Sequence, residues 1–207
     1  IAVCEKETKT LKIRYSRTDY VTTAKRHINN CRICLTRMRE GIELLKNNKN
    51  VRIAFQYMNL AMIMQQLHYN LPLQKWVSDE SGNLNLENII ESLPDPYNSE
   101  TWYGNKKRYG KWRPFQLAFV LMNLQSMADR NNNNRDIVDL IWFPTGGGKT
   151  EAYLGLSAYT IFIRRLMNKD DSGTAILMRY TLRLLTAQQY ERASAMICAC
   201  DLIRKQH

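Results

Sequence analysis

One octapeptide constrains this chain more than any other stretch: Phe143-Pro144-Thr145-Gly146-Gly147-Gly148-Lys149-Thr150. Three successive glycines let the backbone enter φ > 0 conformations and bring several N–H groups to one point. Ahead of them runs an apolar, β-rich segment, Ile137-Val138-Asp139-Leu140-Ile141-Trp142; behind them comes a helix-like one, Glu151 to Leu156. Strand, glycine turn and helix make the layout of a phosphate-binding loop, with the partly positive helix N-terminus aimed at the phosphate. Lys149 can reach the β- and γ-phosphates, and the Thr150 hydroxyl can ligate the Mg²⁺ that bridges them. ATP and Mg²⁺ are therefore the expected cofactors. Thr145, Gly146, Gly147, Gly148, Lys149, Thr150 and Glu151 are the expected nucleotide contacts, with Lys149 and Thr150 as the catalytic pair. The full G-x-x-x-x-G-K-[ST] pattern would put glycine where this chain has Phe143. A glycine-rich hairpin turn with an accidental Gly-Lys-Thr is the alternative, and the fitting strand and helix on either side speak against it.

Upstream, Arg113-Pro114-Phe115-Gln116 opens an amphipathic helix, Leu117 to Met127. A glutamine at a helix start, shortly before a phosphate loop, can grip adenine through its amide donor and acceptor. Gln116 thus joins the expected nucleotide contacts, against the alternative of an ordinary polar residue at a helix start. Downstream, the helix after the loop runs through Tyr159 to about Met167, and Asn168 to Gly173 reads as a turn. Thr174-Ala175-Ile176-Leu177-Met178-Arg179 then reads as a buried parallel strand, which completes a β-α-β unit. A last helix is expected from Tyr190 to about Lys205. The fold class expected is α/β: a partial RecA-like parallel sheet of the P-loop NTPase kind, preceded by an α-helical N-terminal region.

That N-terminal region is placed at residues 1–100, with the ATP-binding part at 101–207. Leu11 to Tyr15 alternates and reads as a short strand or an extended lead-in. From Thr22 to Lys46, Ile28, Cys31, Leu35, Met38, Ile42 and Leu45 recur at steps of three and four, which predicts a helix. Asn47-Asn48-Lys49-Asn50 breaks it, and a methionine-rich helix follows from Val51 to Tyr69. Residues 70 to 110 carry loop signals, Pro72, Gly82, Pro94, Pro96, Gly104 and Gly110, with one short helix expected at Leu84 to Leu93.

Charge matters for partners. Lys and Arg number 30 against 19 Asp and Glu, a formal net charge of +11 that suits a polyanion. No apolar run approaches the roughly 20 residues that span a bilayer, and the first residues turn charged at once, so a cytoplasmic protein with no membrane partner is expected. Ile1 rather than methionine opens the chain, which reads as a piece of a longer protein. Cys31 and Cys34 have metal-like spacing, but Cys198 and Cys200 are wrongly spaced to complete a zinc ribbon, so free thiols are expected.

Three pieces in this order resemble the first half of a superfamily 2 helicase motor: Arg113-Pro114-Phe115-Gln116, the Thr145-to-Thr150 loop, and Arg183-Leu184-Leu185-Thr186-Ala187-Gln188. The last is similar to the helicase pattern T-R-E-L-A-x-Q, with Arg183, Leu185 and Gln188 in step and leucine for the first threonine. Many such motors also relax the first glycine of the loop. The resemblance implies that Tyr180, Thr181, Arg183 and Gln188 touch a nucleic-acid backbone, DNA rather than RNA. Trp142 to Gly155 with Met178 to Thr186 is most similar to the DrmA family, helicase-like proteins of the bacterial anti-phage system DISARM. A partner protein of that system is implied too. Hydrolysis also needs an acidic pair on a later strand and arginines from a second lobe. Nothing after Thr150 offers such a strand end, so the residues given are expected to bind nucleotide without turning it over. Two other readings stay open here: a nucleotide-gated module that loads a partner on DNA without unwinding, and a P-loop kinase of small substrates.

Overall fold

The structure is a computed structural model that describes residues 18–69, 71, 75–87, 95–98, 111–142, 144, 146–180 and 183–207, without the side chains of 18, 19, 69 and 183–185. Five helices dominate: α1 (Thr18–Asn47), α2 (Lys49–Tyr69), α3 (Pro114–Ala128), α4 (Lys149–Met167) and α5 (Arg183–Gln206). The strands β1 (Trp76–Ser78) and β2 (Leu84–Leu86) pair antiparallel, Val77 opposite Asn85. A 3-10 turn spans Asn133–Asp136.

The expected α/β class is corrected by this arrangement. Among the described residues the only sheet is the two-stranded antiparallel hairpin, and no RecA-like parallel sheet forms. Neither Ile137 to Trp142 nor Thr174 to Arg179 enters a ladder. The physical reason lies in their exposure. Parallel strands are covered on both faces, whereas here Val138 is 93% exposed, Leu140 79%, Trp142 87% and Leu177 79%. Asp139, Ile141, Ile176 and Met178 face inward in alternation with them. Each segment meets the helices on one side only.

The core is built helix on helix instead. Helix α2 buries Val51, Ala54, Met58, Ala61, Met62, Met64 and Leu67, a face wider than half its circumference. Such a broad apolar face suits a central helix, and α2 packs against α1, α4 and α5. Leu154, Ala158, Tyr159, Phe162 and Ile163 of α4 and Met196, Ala199, Cys200 and Ile203 of α5 complete one cluster with Val120 and Leu124 of α3. The break between α1 and α2 is narrower than the Asn run suggests. Asn48 alone stands between them, and its side chain accepts from the Val51 N–H at 3.1 Å, an N-cap for α2.

Two glycines set how closely the helices approach. A Cβ on Gly41 would stand 2.2 Å from the Leu121 carbonyl oxygen, so α1 meets the α3 backbone directly there. A Cβ on Gly155 would stand 2.6 Å from the Trp112 ring. Trp112 lies in that notch and donates its indole N–H to Asn59 at 2.7 Å, which joins the start of α3 to α2. The short helix expected at Leu84 to Leu93 is replaced at its start by β2. Asp79 accepts from the N–H groups of Ser81 and Asn83 at 3.0 and 2.8 Å, and Gly82 takes a φ of 81°, so the chain turns back into a hairpin. Those bonds, the Asn83 N–H first, hold the Asp79 carboxyl below the usual range. The strand expected at Leu11 to Tyr15 and residues 88–93 lie outside the described residues.

Candidate functional site

Gly148 caps α4 in the left-handed conformation, with φ 85° and ψ 28°. Lys149, Thr150 and Glu151 therefore form its first turn, whose backbone N–H groups have no partner within the helix. Gly146 is also left-handed, φ 78°. The loop closes on itself through Pro144, whose carbonyl accepts from the Gly147 N–H at 3.1 Å and from the Lys149 ammonium at 3.1 Å. Thr145 lies outside the described residues.

Three side chains from other helices hold this loop. Arg113, the N-cap of α3, donates a guanidinium N–H to the Gly147 carbonyl at 2.8 Å. Gln116 donates its amide to the Gly148 carbonyl at 2.6 Å and accepts the Arg113 N–H at 2.8 Å through its own oxygen. Gln116 thereby supplies the reciprocal half of a capping box to the Arg113 N–H, and both side chains also reach the glycines. Arg192 of α5 donates to Glu151. The Phe119 and Tyr153 rings meet edge to face, centroids 5.7 Å apart, and fix α3 against α4 behind the loop.

The structure thus brings Gln116, Gly146, Gly147, Gly148, Lys149, Thr150 and Glu151 together. Gln116 is buried, with both ends of its amide engaged by protein, and it stands against the loop. Among the described residues no hydrogen bond runs from Tyr180 to the loop, so the structure does not join it to those residues directly. It shares a groove with Tyr153, Ser157 and Thr160. Partial burial raises its phenol pKa, and the positive charge of Arg192 nearby works against that rise. Gln188 is exposed on the second turn of α5. Arg183 opens α5 seven residues earlier than the expected helix start; its side chain, like Thr181, lies outside the described residues.

Sequence reasoning missed two loop-holding residues. Arg113 carried a usable signal, because a residue three before a helical glutamine at a Pro-marked start is an N-cap candidate. Arg192 carried none, since its partner lies 41 residues away.

The segment leading into the loop is also tied down. Arg37 of α1 grips Asp139 with two bonds of 2.7 and 2.6 Å, and both side chains are largely buried. Asp139 raises the Arg37 pKa further, chiefly through those hydrogen bonds. Beyond α4, Asp171 accepts from Arg164 at 2.7 and 2.8 Å and from Arg130 at 2.7 Å. The Arg164 guanidinium first, then Arg130, holds its carboxyl far below the usual range.

The chain is similar to DISARM protein DrmA. The relative, from Bacillus paralicheniformis (strain ATCC 9945a / NCIMB 11709 / CD-2), is 42% identical over 189 residues, 87% of this chain. Those residues are 15% of the relative's length. The DrmA resemblance read from the loop and from the Met178-to-Thr186 stretch is borne out by that match. No family model and no solved structure matches the chain. Among the described residues no helix is long and apolar enough to cross a membrane.

Proposed function

We propose that this chain carries the nucleotide-binding loop of an ATP-dependent nucleic-acid helicase or translocase that serves anti-phage defence. The similarity to a protein named for DISARM supports the defence role. The observation that carries the nucleotide reading is Lys149 and Thr150 in the first turn of α4, directly after two left-handed glycines. The residues fit a magnesium–triphosphate group on one further point: a Cβ on Gly146 would meet nothing within 4 Å, so the loop's outer side is open to a ligand.

On this reading the Lys149 ammonium leaves the Pro144 carbonyl and neutralises the terminal phosphates. Thr150 supplies a hydroxyl to Mg²⁺, and the first-turn N–H groups of α4 bind phosphate oxygens. Bound ATP supplies a phosphoanhydride whose hydrolysis can drive movement along nucleic acid. Arg113 and Gln116 hold the glycine carbonyls outward, so the loop N–H groups stay turned to the ligand. Tyr180, Thr181, Arg183 and Gln188 are the proposed backbone contacts to DNA, with a second protein of the same defence system as a partner.

Titration of the full chain with ATP and Mg²⁺ tests this. Lys149→Ala is expected to weaken binding by at least tenfold, because it removes a point charge from the terminal phosphate. Unchanged affinity would sink the assignment. Repeating the titration with GTP decides the role of Gln116. Gln116→Ala is expected to weaken both nucleotides alike through the loop, and a changed ATP:GTP ratio would return the residue to reading adenine.

A further inference from the structure

Glu151 presents a problem for any anion at this loop. It is the third residue of α4, counted from the sequence among the nucleotide contacts, and it brings a carboxylate to the helix end that would receive a phosphate. Its Oε2 would lie 3.3 Å from a Cβ placed on Gly148, so the group leans on the loop's last glycine. That oxygen is buried and has no hydrogen-bond partner among the described residues. Its Oε1 accepts from Arg192, and both side chains are mostly buried, 18% exposed for Arg192 and 26% for Glu151. Water therefore screens the carboxylate poorly, and a charge in such a place acts strongly on its neighbours.

We propose that Arg192 is a positioning residue for the phosphate loop: it turns the Glu151 carboxylate aside and cancels its charge, so that a triphosphate can settle beside Gly148. The proposal rests on the nucleotide reading given above and adds to it a residue from α5. Arg192 stands on the third turn of the helix that Arg183 opens, and its charge is felt at Tyr180. The pair is consequently a direct bond between the loop and the element proposed to meet nucleic acid. A pull on α5 that parts Arg192 from Glu151 exposes a negative charge at the loop and loosens nucleotide.

The experiment is a double-mutant cycle on the full chain, read by titration with a fluorescent ATP analogue and Mg²⁺ and by melting temperature. Arg192→Ala is expected to weaken nucleotide about tenfold, since an uncompensated charge within a few ångströms of phosphate acts through little water. Glu151→Gln alone is expected to bind at least as tightly as the native chain. Combining Arg192→Ala with Glu151→Gln is expected to return affinity to within about threefold of native, because the charge that Arg192 answers is gone. If the double variant stays as weak as Arg192→Ala, Arg192 does not act through Glu151 and the proposal falls. If Arg192→Ala binds normally while Lys149→Ala has lost binding, the proposal falls and the nucleotide reading stands. If Lys149→Ala binds as the native chain does, the nucleotide reading falls first. Should Arg192→Ala fail to fold, Glu151→Gln decides alone: weaker binding there overturns the proposal.

Discussion

Helix α2 and the segment Ile137 to Trp142 are made of the same kinds of residue and have opposite fates. Val51, Met58 and Met62 of α2 are buried, while Val138, Leu140 and Trp142 stand in solvent. The difference lies in the backbone. A helix satisfies its own N–H and C=O groups and can turn any face to its neighbours. An alternating segment presents two faces, and its backbone bonds must come from another segment. Here only the inner face, Asp139 and Ile141, is half-buried, with Arg37 of α1 on Asp139. The apolar core is therefore set by helices that need no partner strand, and ion pairs tie the chain near the two alternating segments to it: Asp139 within the first on Arg37, and Asp171 in the turn before the second on Arg164 and Arg130.

The sharpest way to break this comparison is one methyl-rich truncation on each side. Ile163→Ala removes a fully buried side chain of α4 and is expected to cost roughly 4 kcal/mol of stability. Leu140→Ala removes an exposed one of the same size and is expected to stay within about 0.5 kcal/mol. Chemical denaturation of both variants reads the contrast; equal losses would mean that the segment is covered after all.

The attachment at Asp139 comes next in size. Asp139→Ala leaves the Arg37 guanidinium buried without its partner and is expected to cost about 3 kcal/mol, the low end for a broken buried pair because Asp139 keeps some contact with water. A loss near zero would show that Arg37 relaxes to solvent and that the segment is held by other contacts.

The smallest effect is a matter of pH. Asp171 is held below the usual carboxylate range in the folded chain, so the unfolded chain takes up its proton first as pH falls. Its contribution is present in full above about pH 4, the unfolded value, and is lost as pH drops toward the folded one. Asp171→Asn should therefore lower the melting temperature at pH 7 and flatten its decline below pH 4. A variant that keeps the native slope would place the acid sensitivity elsewhere.

Much of this was legible in the sequence, and the errors have three physical causes. The three- and four-residue spacing of Ile28, Leu35, Ile42 and Leu45 found α1, and the apolar run with methionines found α2, because helical periodicity is local. The glycine loop was legible for the same reason: left-handed backbone at Gly146 and Gly148 needs glycine whatever surrounds it. Ile137 to Trp142 and Thr174 to Arg179 misled because β-propensity reports a fit to a pleated, covered surface, and that cover is supplied by other chain segments. The hairpin at Trp76 to Leu86 was passed over because its signal, Asp79 with Gly82 three residues on, sat inside a run of loop residues. Arg192 was invisible for a third reason. A long-range ion pair leaves no mark on its neighbours in sequence.

The notch at Gly155 has an optical consequence. Trp112 lies in it with its indole N–H bound to Asn59 and its ring near the Met58 sulfur, while Trp76 and Trp142 stand in water. An indole shielded from solvent emits at shorter wavelength, because water cannot reorient around its excited dipole. The residue after Trp112 is Arg113, which holds the Gly147 carbonyl. Among the described tryptophans Trp112 is therefore the blue-edge emitter, and with Trp102 replaced by phenylalanine it is a built-in gauge of how α3 sits on the phosphate loop, readable without any label.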